Sequence, residues 1–187
     1  MNRKPLIKTG RPVELIPRKF RKTLLQQNFR HRKSGRIEEY IFFDPGQQWS
    51  SLIFALTPDN RVIATKQFRP AINKTIIELP GGTLEDDSQP DTVARVELED
   101  ETGYSAKQIT QLTPRPIYVE PANTSVHYYI YLARDCFYTG MQNLSPSEEI
   151  EVVLIPVRHW MNKISKGQIL DGKSIVATFL ALPHLKK

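Results

Sequence analysis

Residues 94–104, ARVELEDETGY, place Glu97, Glu99, Asp100 and Glu101 within five positions and then stop at Gly103. Pro90 suits the first turn of a helix, Asp91 complements its dipole and Gly103 suits the position just past its end, so a helix is expected over 90–102. At roughly 100° per residue, Glu97, Asp100 and Glu101 fall in one arc. Val93 and Val96 border that arc on one side, Ala94 and Leu98 on the other, and Arg95, Glu99 and Thr102 take the opposite, solvent-like face. Three acids thus share the half of the helix that otherwise reads as buried. Like charges so placed repel one another and are costly to desolvate unless a cation joins them. Hard oxygen donors at i, i+3 and i+4 suit Mg²⁺, or Mn²⁺. The spacing points to a site rather than to a solvated face.

Elements that could position this helix lie on both sides of it. WSSLIFAL (49–56) and RVIATKQF (61–68) read as strands joined through the turn cluster TPDN, and TIIELPGG (75–82) as a third strand ending in a Pro-Gly-Gly loop. PIYVEPANTSVHYYIYLAR (116–134) holds two further β-rich runs, and EIEVVLIPV (149–157) is the next strand. Helices are expected near 158–166 and 172–182. Strands mixed with a few helices around one core indicate an α+β chain with a mixed-sheet sandwich.

The chain has 187 residues, enough for one full domain with a core and a small appendage. Its composition is that of an ordinary globular protein, and no apolar run approaches a membrane span. The basic start lacks the apolar stretch of a secretory signal. The single cysteine, Cys136, precludes an internal disulfide framework, reads as a small buried hydrophobe and fits a cytoplasmic location. The net charge of +6 is uneven: residues 1–36 carry twelve Lys and Arg against Glu14 alone. Such a segment could contact nucleic acid, but its charges alternate with Leu15, Ile16, Phe20, Leu24, Leu25 and Phe29, which favours folded structure. HRKSGR (31–36) then reads as a polar turn between FRKTLLQQNF and IEEYIFF, a hairpin.

With these residues in place, GGTLEDDSQPDTVARVELEDETGY resembles the Nudix box, the loop–helix signature of enzymes that cleave a nucleoside diphosphate linked to another group. Gly82, Glu97, Leu98, Glu101, Gly103 and Tyr104 match the pattern in register. TKQFRPAINKTIIELPGG and SEEIEVVLIPV…GQILDGKSIVATFLAL resemble the flanks of the box in ADP-ribose and ADP-sugar pyrophosphatases. The resemblance implies an α/β/α sandwich with a mixed sheet over 46–187. It also implies a small N-terminal antiparallel β subdomain over 1–45, through which that subfamily forms homodimers.

The resemblance also implies roles. Glu97, Asp100 and Glu101, with the Gly81 carbonyl, would hold divalent metal, Mg²⁺ or Mn²⁺, and Glu97 and Glu101 would be catalytic. Arg69 occupies the phosphate-contacting position, although a strand-end ion pair is the alternative. Glu148 stands where the subfamily's loop carboxylate acts as general base, with Glu149 adjacent. Phe20 falls where that subfamily stacks an aromatic on the base, and core packing is equally compatible with it. Glu78 supports the substrate side from just before Pro-Gly-Gly. Trp49 reads as core, and His127 and His159 receive no role.

Three box positions depart from the pattern: Ser88 and Asp100 replace glutamates, and Val96 replaces an arginine. EPANTS also lacks a glycine common in that loop of the subfamily. The implied activity is Mg²⁺-dependent hydrolysis of ADP-ribose or a related nucleoside diphosphate sugar to a nucleoside monophosphate and a sugar phosphate. The alternative is a weak or inactive module that binds such a ligand.

Overall fold

The computed structural model describes residues 4, 6–19, 22–44, 50–83, 88–118 and 120–185, with only the backbone of 17–19 and 22. Phe20 and Trp49 therefore lie outside the described residues. Among the described residues the strands are β1 (Leu6–Lys19), β2 (Lys22–His31), β3 (Ile37–Asp44), β4 (Ser51–Leu56), β5 (Arg61–Arg69), β6 (Lys74–Glu78), β7 (Tyr104–Gln111), β8 (Ile117–Tyr118), β9 (His127–Tyr138) and β10 (Ile150–Pro156). The α-helices are α1 (Pro90–Thr102), α2 (Val157–Ser165) and α3 (Gly172–Ala181). The chain divides into two compact units, Met1–Gln47 with Tyr118–Val126, and Gln48–Ile117 with His127–Lys187.

In the smaller unit β1, β2 and β3 form an antiparallel meander. The β2–β3 turn is the expected one, closed by a His31 N–H bond to the Arg36 carbonyl at 2.8 Å, with Gly35 at φ 72°. The basic stretch before the hairpin adds a third strand, β1, whose register with β2 shifts between Thr9 and Val13. The segment Tyr118–Val126, which contains EPANTS, is tied to β3. Phe43 N–H donates to the Asn123 carbonyl at 2.9 Å, and Ser125 Oγ donates to Asp44 Oδ1 at 2.9 Å.

The larger unit is built on a mixed sheet in the order β10-β5-β4-β9-β7, with β6 paired to Thr65–Arg69 of β5 on the side opposite β10, beyond the stretch that β4 pairs. β4 lies antiparallel to β5 and parallel to β9, and all six of its residues are buried. A continuous apolar strand of this kind must be covered on both faces. Its side chains alternate accordingly. Leu52, Phe54 and Leu56 join Trp160 of α2 and Ala177 and Ala181 of α3, whereas Ile53 and Ala55 join Ala94 and Leu98 of α1. The result is an α/β/α sandwich. β7 was not legible as a strand: its run YSAKQITQ is polar because it lies at the sheet's margin, paired on β9 and half exposed.

The helix α1 runs over the residues expected of it, from Pro90 at its first position to Gly103, which takes the left-handed conformation (φ 69°) and donates to the Glu99 carbonyl at 2.7 Å. Thr102 departs from expectation. It is 1% exposed rather than on the solvent face. Its hydroxyl bonds the Leu98 carbonyl and accepts from Tyr104 N–H at 3.1 Å. The chain turns at Gly103 directly into β7, and this closes over the side of the last helical turn that simple helical periodicity leaves open.

Candidate active site

The loop between β6 and α1 is laid against β4. Ile53 N–H donates to the Pro80 carbonyl at 2.9 Å and Ser51 N–H to the Gly82 carbonyl at 3.0 Å. Gly81, at φ 154°, leaves no room for a side chain, because a Cβ there would lie 2.8 Å from Leu52 Cα and run into the Ser51 carbonyl oxygen. At Gly82 the obstacle is different: a Cβ would fall 2.5 Å from Glu97 Oε1. The two glycines therefore bring the loop against the sheet on one side and admit the Glu97 carboxylate on the other.

Glu101, one turn along, is 7% exposed, and its Oε2 accepts the Gly81 N–H at 2.9 Å. Burial raises its affinity for a proton, the Gly81 bond works against that, and Glu97, Glu78 and Glu148 add to it; the carboxyl is pushed up to about 8. Glu97 is pushed up to about 7 by burial, then by the charges of Glu148 and Asp100. Asp100 is also raised, by burial first, while a hydrogen bond from Asn143 lowers it and Glu99 and Glu148 raise it. The carboxylates of this helix face are thus hard donors that gain from any cation placed among them. Among the described residues, no three His, Cys, Asp or Glu side chains form a ready-made cation cage.

A second cluster sits just before the loop. Glu78 is 2% exposed, and its Oε1 accepts from Arg69 Nε at 2.7 Å. Burial disfavours the charged guanidinium, but the bond and charge of Glu78, with the charges of Glu101 and Asp171, raise its pKa. Arg69 is half exposed, so a carboxylate at the base of the cleft fixes a cation at its rim.

Glu148 arrives on the loop before β10, where its Oε2 accepts from Ser145 N–H at 2.9 Å. That loop is fastened to the end of α1: Gln142 Nε2 donates to the Glu101 carbonyl at 2.8 Å, and Asn143 N–H to the Asp100 carbonyl at 3.0 Å. The structure therefore gathers Arg69, Glu78, Gly81, Glu97, Asp100, Glu101 and Glu148 in the larger unit. The charge of Glu148, rather than of Glu149, acts on Glu97, Asp100 and Glu101. Val96 lines a groove with Arg95, Leu98, Glu99 and Ile109. Gln142 and Asn143 carried no signal in the sequence, since a loop amide declares its partner only after folding.

The chain is similar in sequence and fold to known proteins. The chain is 30% identical over 126 residues to an ADP-ribose pyrophosphatase of Bacillus subtilis (strain 168), covering 67% of each chain. It is 26% identical over 165 residues to a GDP-mannose pyrophosphatase of Salmonella arizonae (strain ATCC BAA-731 / CDC346-86 / RSK2980), covering 82% of this chain and 84% of that one. A solved structure of an ADP compounds hydrolase superposes with a TM-score of 0.77 over 94% of this chain and 95% of that chain, at 19% identity, and so shares the fold. Residues 46–172 match the model of the NUDIX domain, which contains the glycine loop, the acidic helix and Glu148, and the chain belongs to that family as a Nudix hydrolase.

Proposed function

We propose that this hydrolase cleaves the pyrophosphate bond of ADP-ribose or a related nucleoside diphosphate sugar, giving a nucleoside monophosphate and a sugar phosphate, with Mg²⁺ or Mn²⁺ as cofactor. The observation that carries the reading is the gathering of part-buried Glu97 and buried Glu101 with the guanidinium of Arg69. The names of the two pyrophosphatase relatives support the substrate class.

Glu97 and Glu101, with Asp100 and the Gly81 carbonyl, would hold the cation, which supplies charge neutralisation of the diphosphate and a more acidic water. Arg69, braced by Glu78, would orient the diphosphate through its guanidinium. Glu148 would take a proton from the attacking water. The lone buried thiol of Cys136 fits a cytoplasmic setting, and no described helix is long and apolar enough to cross a membrane. A second reading, a module that binds such a ligand with little turnover, draws on Val96, which supplies no positive charge to the acidic face.

The test is a panel of nucleoside diphosphate sugars with Mg²⁺ or Mn²⁺, read as phosphate released after a phosphatase step. ADP-ribose or a close relative should be hydrolysed by the wild type, and Glu101→Gln should abolish this while still folding. Tight binding of ADP-ribose by the wild type without product would favour the second reading.

The glycine pair separates fold from site. Gly81→Ala forces backbone apart at β4 and should lower the melting temperature markedly. Gly82→Ala meets only the movable end of Glu97, so it should melt close to wild type yet lose roughly tenfold to hundredfold in initial rate. Similar melting losses in both variants would contradict this division.

The raised carboxyls also set a pH dependence. Glu101 keeps its proton in the folded state up to about 8, against an ordinary 4.5, so between these values the native chain binds more protons than the unfolded chain. Stability then falls as pH rises through that window. Without divalent metal, wild type should lose on the order of 4 kcal/mol more than Glu101→Gln between pH 5 and pH 9. Urea titrations at the two pH values measure it, and parallel pH profiles would refute it.

We also propose a homodimer formed through the smaller unit. Its sheet exposes Val13, Ile16, Ile37, Ile41 and Phe43, each more than half exposed, a row of apolar side chains that water does not favour. Light scattering at micromolar concentration should give twice the chain mass; a monomer would exclude the proposal.

A further inference from the structure

The loop that shapes the site is gripped from a direction the chemistry does not use. Between Glu78, which fixes Arg69, and Gly81, which fixes Glu101, lie Leu79 and Pro80. Proline has no N–H. The Leu79 N–H, buried, donates to Ser174 Oγ at 2.8 Å. Ser174 is fully buried in the first turn of α3, and its hydroxyl donates to Asp171 Oδ2 at 2.7 Å, which turns its lone pairs toward Leu79. Asp171 caps the helix by accepting Ser174 N–H at 3.0 Å, and its other oxygen accepts Lys173 Nζ at 2.7 Å.

We propose that Ser174, oriented by Asp171, is a positioning residue that sets the spacing between the Arg69 side and the Glu101 side of the site. The inference rests on the hydrolase reading for its kinetic readout alone. The reasoning is one of registry. The carbonyls of Pro80 and Gly82 are held by β4, and this fixes the loop along the sheet. The Leu79 N–H is held by α3, from across the sandwich. Without that bond the residue joining Glu78 to Pro80 is anchored only through its neighbours. A shift there displaces the Glu78 carboxylate and the Gly81 N–H, which flank Leu79 and Pro80, from their partners Arg69 and Glu101. The polar groups on the Arg69 side and on the Glu101 side of the site then lose alignment together, although Ser174 touches neither substrate nor cation.

Thr178 provides the control. It lies one turn further along α3, is equally buried, accepts from Trp160 Nε1 at 2.9 Å and donates to the Ser174 carbonyl at 2.7 Å, with no bond to the loop. Ser174→Ala, Thr178→Ala and wild type would be compared by melting temperature, by amide hydrogen exchange of residues 76–83, and by kcat and KM for ADP-ribose at varied Mg²⁺. Ser174→Ala should lose exchange protection in that segment, raise the Mg²⁺ requirement and lower kcat/KM by roughly tenfold to hundredfold. Thr178→Ala should melt lower while keeping loop protection and kinetics. Unchanged protection in Ser174→Ala, or equal loss in both variants, would overturn the proposal. Should Ser174→Ala not fold, Asp171→Asn, which keeps the shape of the cap, undergoes the same comparison with the same criteria. If wild type hydrolyses no substrate, the hydrolase reading fails while hydrogen exchange still decides the positioning role.

Discussion

Two carboxylates sunk into one helix face a turn apart repel each other, and each makes the other hold a proton or a cation more tightly. For Glu97, burial, Glu148 and Asp100 all act in the same direction. Glu101 accepts the Gly81 N–H, which offsets part of the cost, and its charge attracts that of Arg69. Holding such a pair out of water requires a loop with no side chains facing it, and that is why Gly81 and Gly82 stand where they do. It also requires a rigid floor, supplied by β4, whose alternating side chains bury α1 on one face and α2 with α3 on the other.

The departures from the family pattern gain meaning from this arrangement. A charged side chain at position 96 would have had a choice between the acids and the groove toward β7; valine commits to the groove, with Leu98 and Ile109. The positive charge near Glu97 is thereby forgone, and the acids depend more heavily on whatever cation is bound. Asp100, shorter than glutamate, draws compensation from Asn143, whose backbone and side chain both meet it. The consequence is an acidic helix face with greater electrostatic strain, coupled by Gln142 and Asn143 to the loop that carries Glu148.

What could be seen in the sequence follows the range of the forces involved. The helix α1 was legible to its last residue because Pro90, Asp91 and Gly103 act within a turn of themselves. β4 and β5 were legible because a doubly buried strand must be apolar and the TPDN turn separates them. β1 and β7 escaped because marginal strands are half polar and carry no sharp period. Thr102 was misplaced because helical periodicity has no knowledge of the chain doubling back after Gly103. Helical spacing alone put Glu97, Asp100 and Glu101 on one arc, and the family resemblance alone pointed to Glu78 and Glu148, whereas the choice between Glu148 and Glu149, and the partnership of Ser174 with Leu79 across 95 positions, depend on tertiary contact.

The pairing of Arg69 with Glu78 shows how the cleft balances charge. Glu78 is almost wholly enclosed, and an unpaired carboxylate there would be expensive. Arg69 answers it from the open side, so the stable ion pair is asymmetric, with the anion in the floor and the cation at the mouth. That asymmetry matters because Glu78 also acts on Glu101. Were the guanidinium absent, two buried acids would face each other across the loop with only the Gly81 N–H between their effects, and Glu101 would hold its proton still more firmly. Arg69 therefore serves the site before any anion arrives: its positive charge, held against the Glu78 carboxylate, opposes the effect by which Glu78 strengthens proton binding at Glu101.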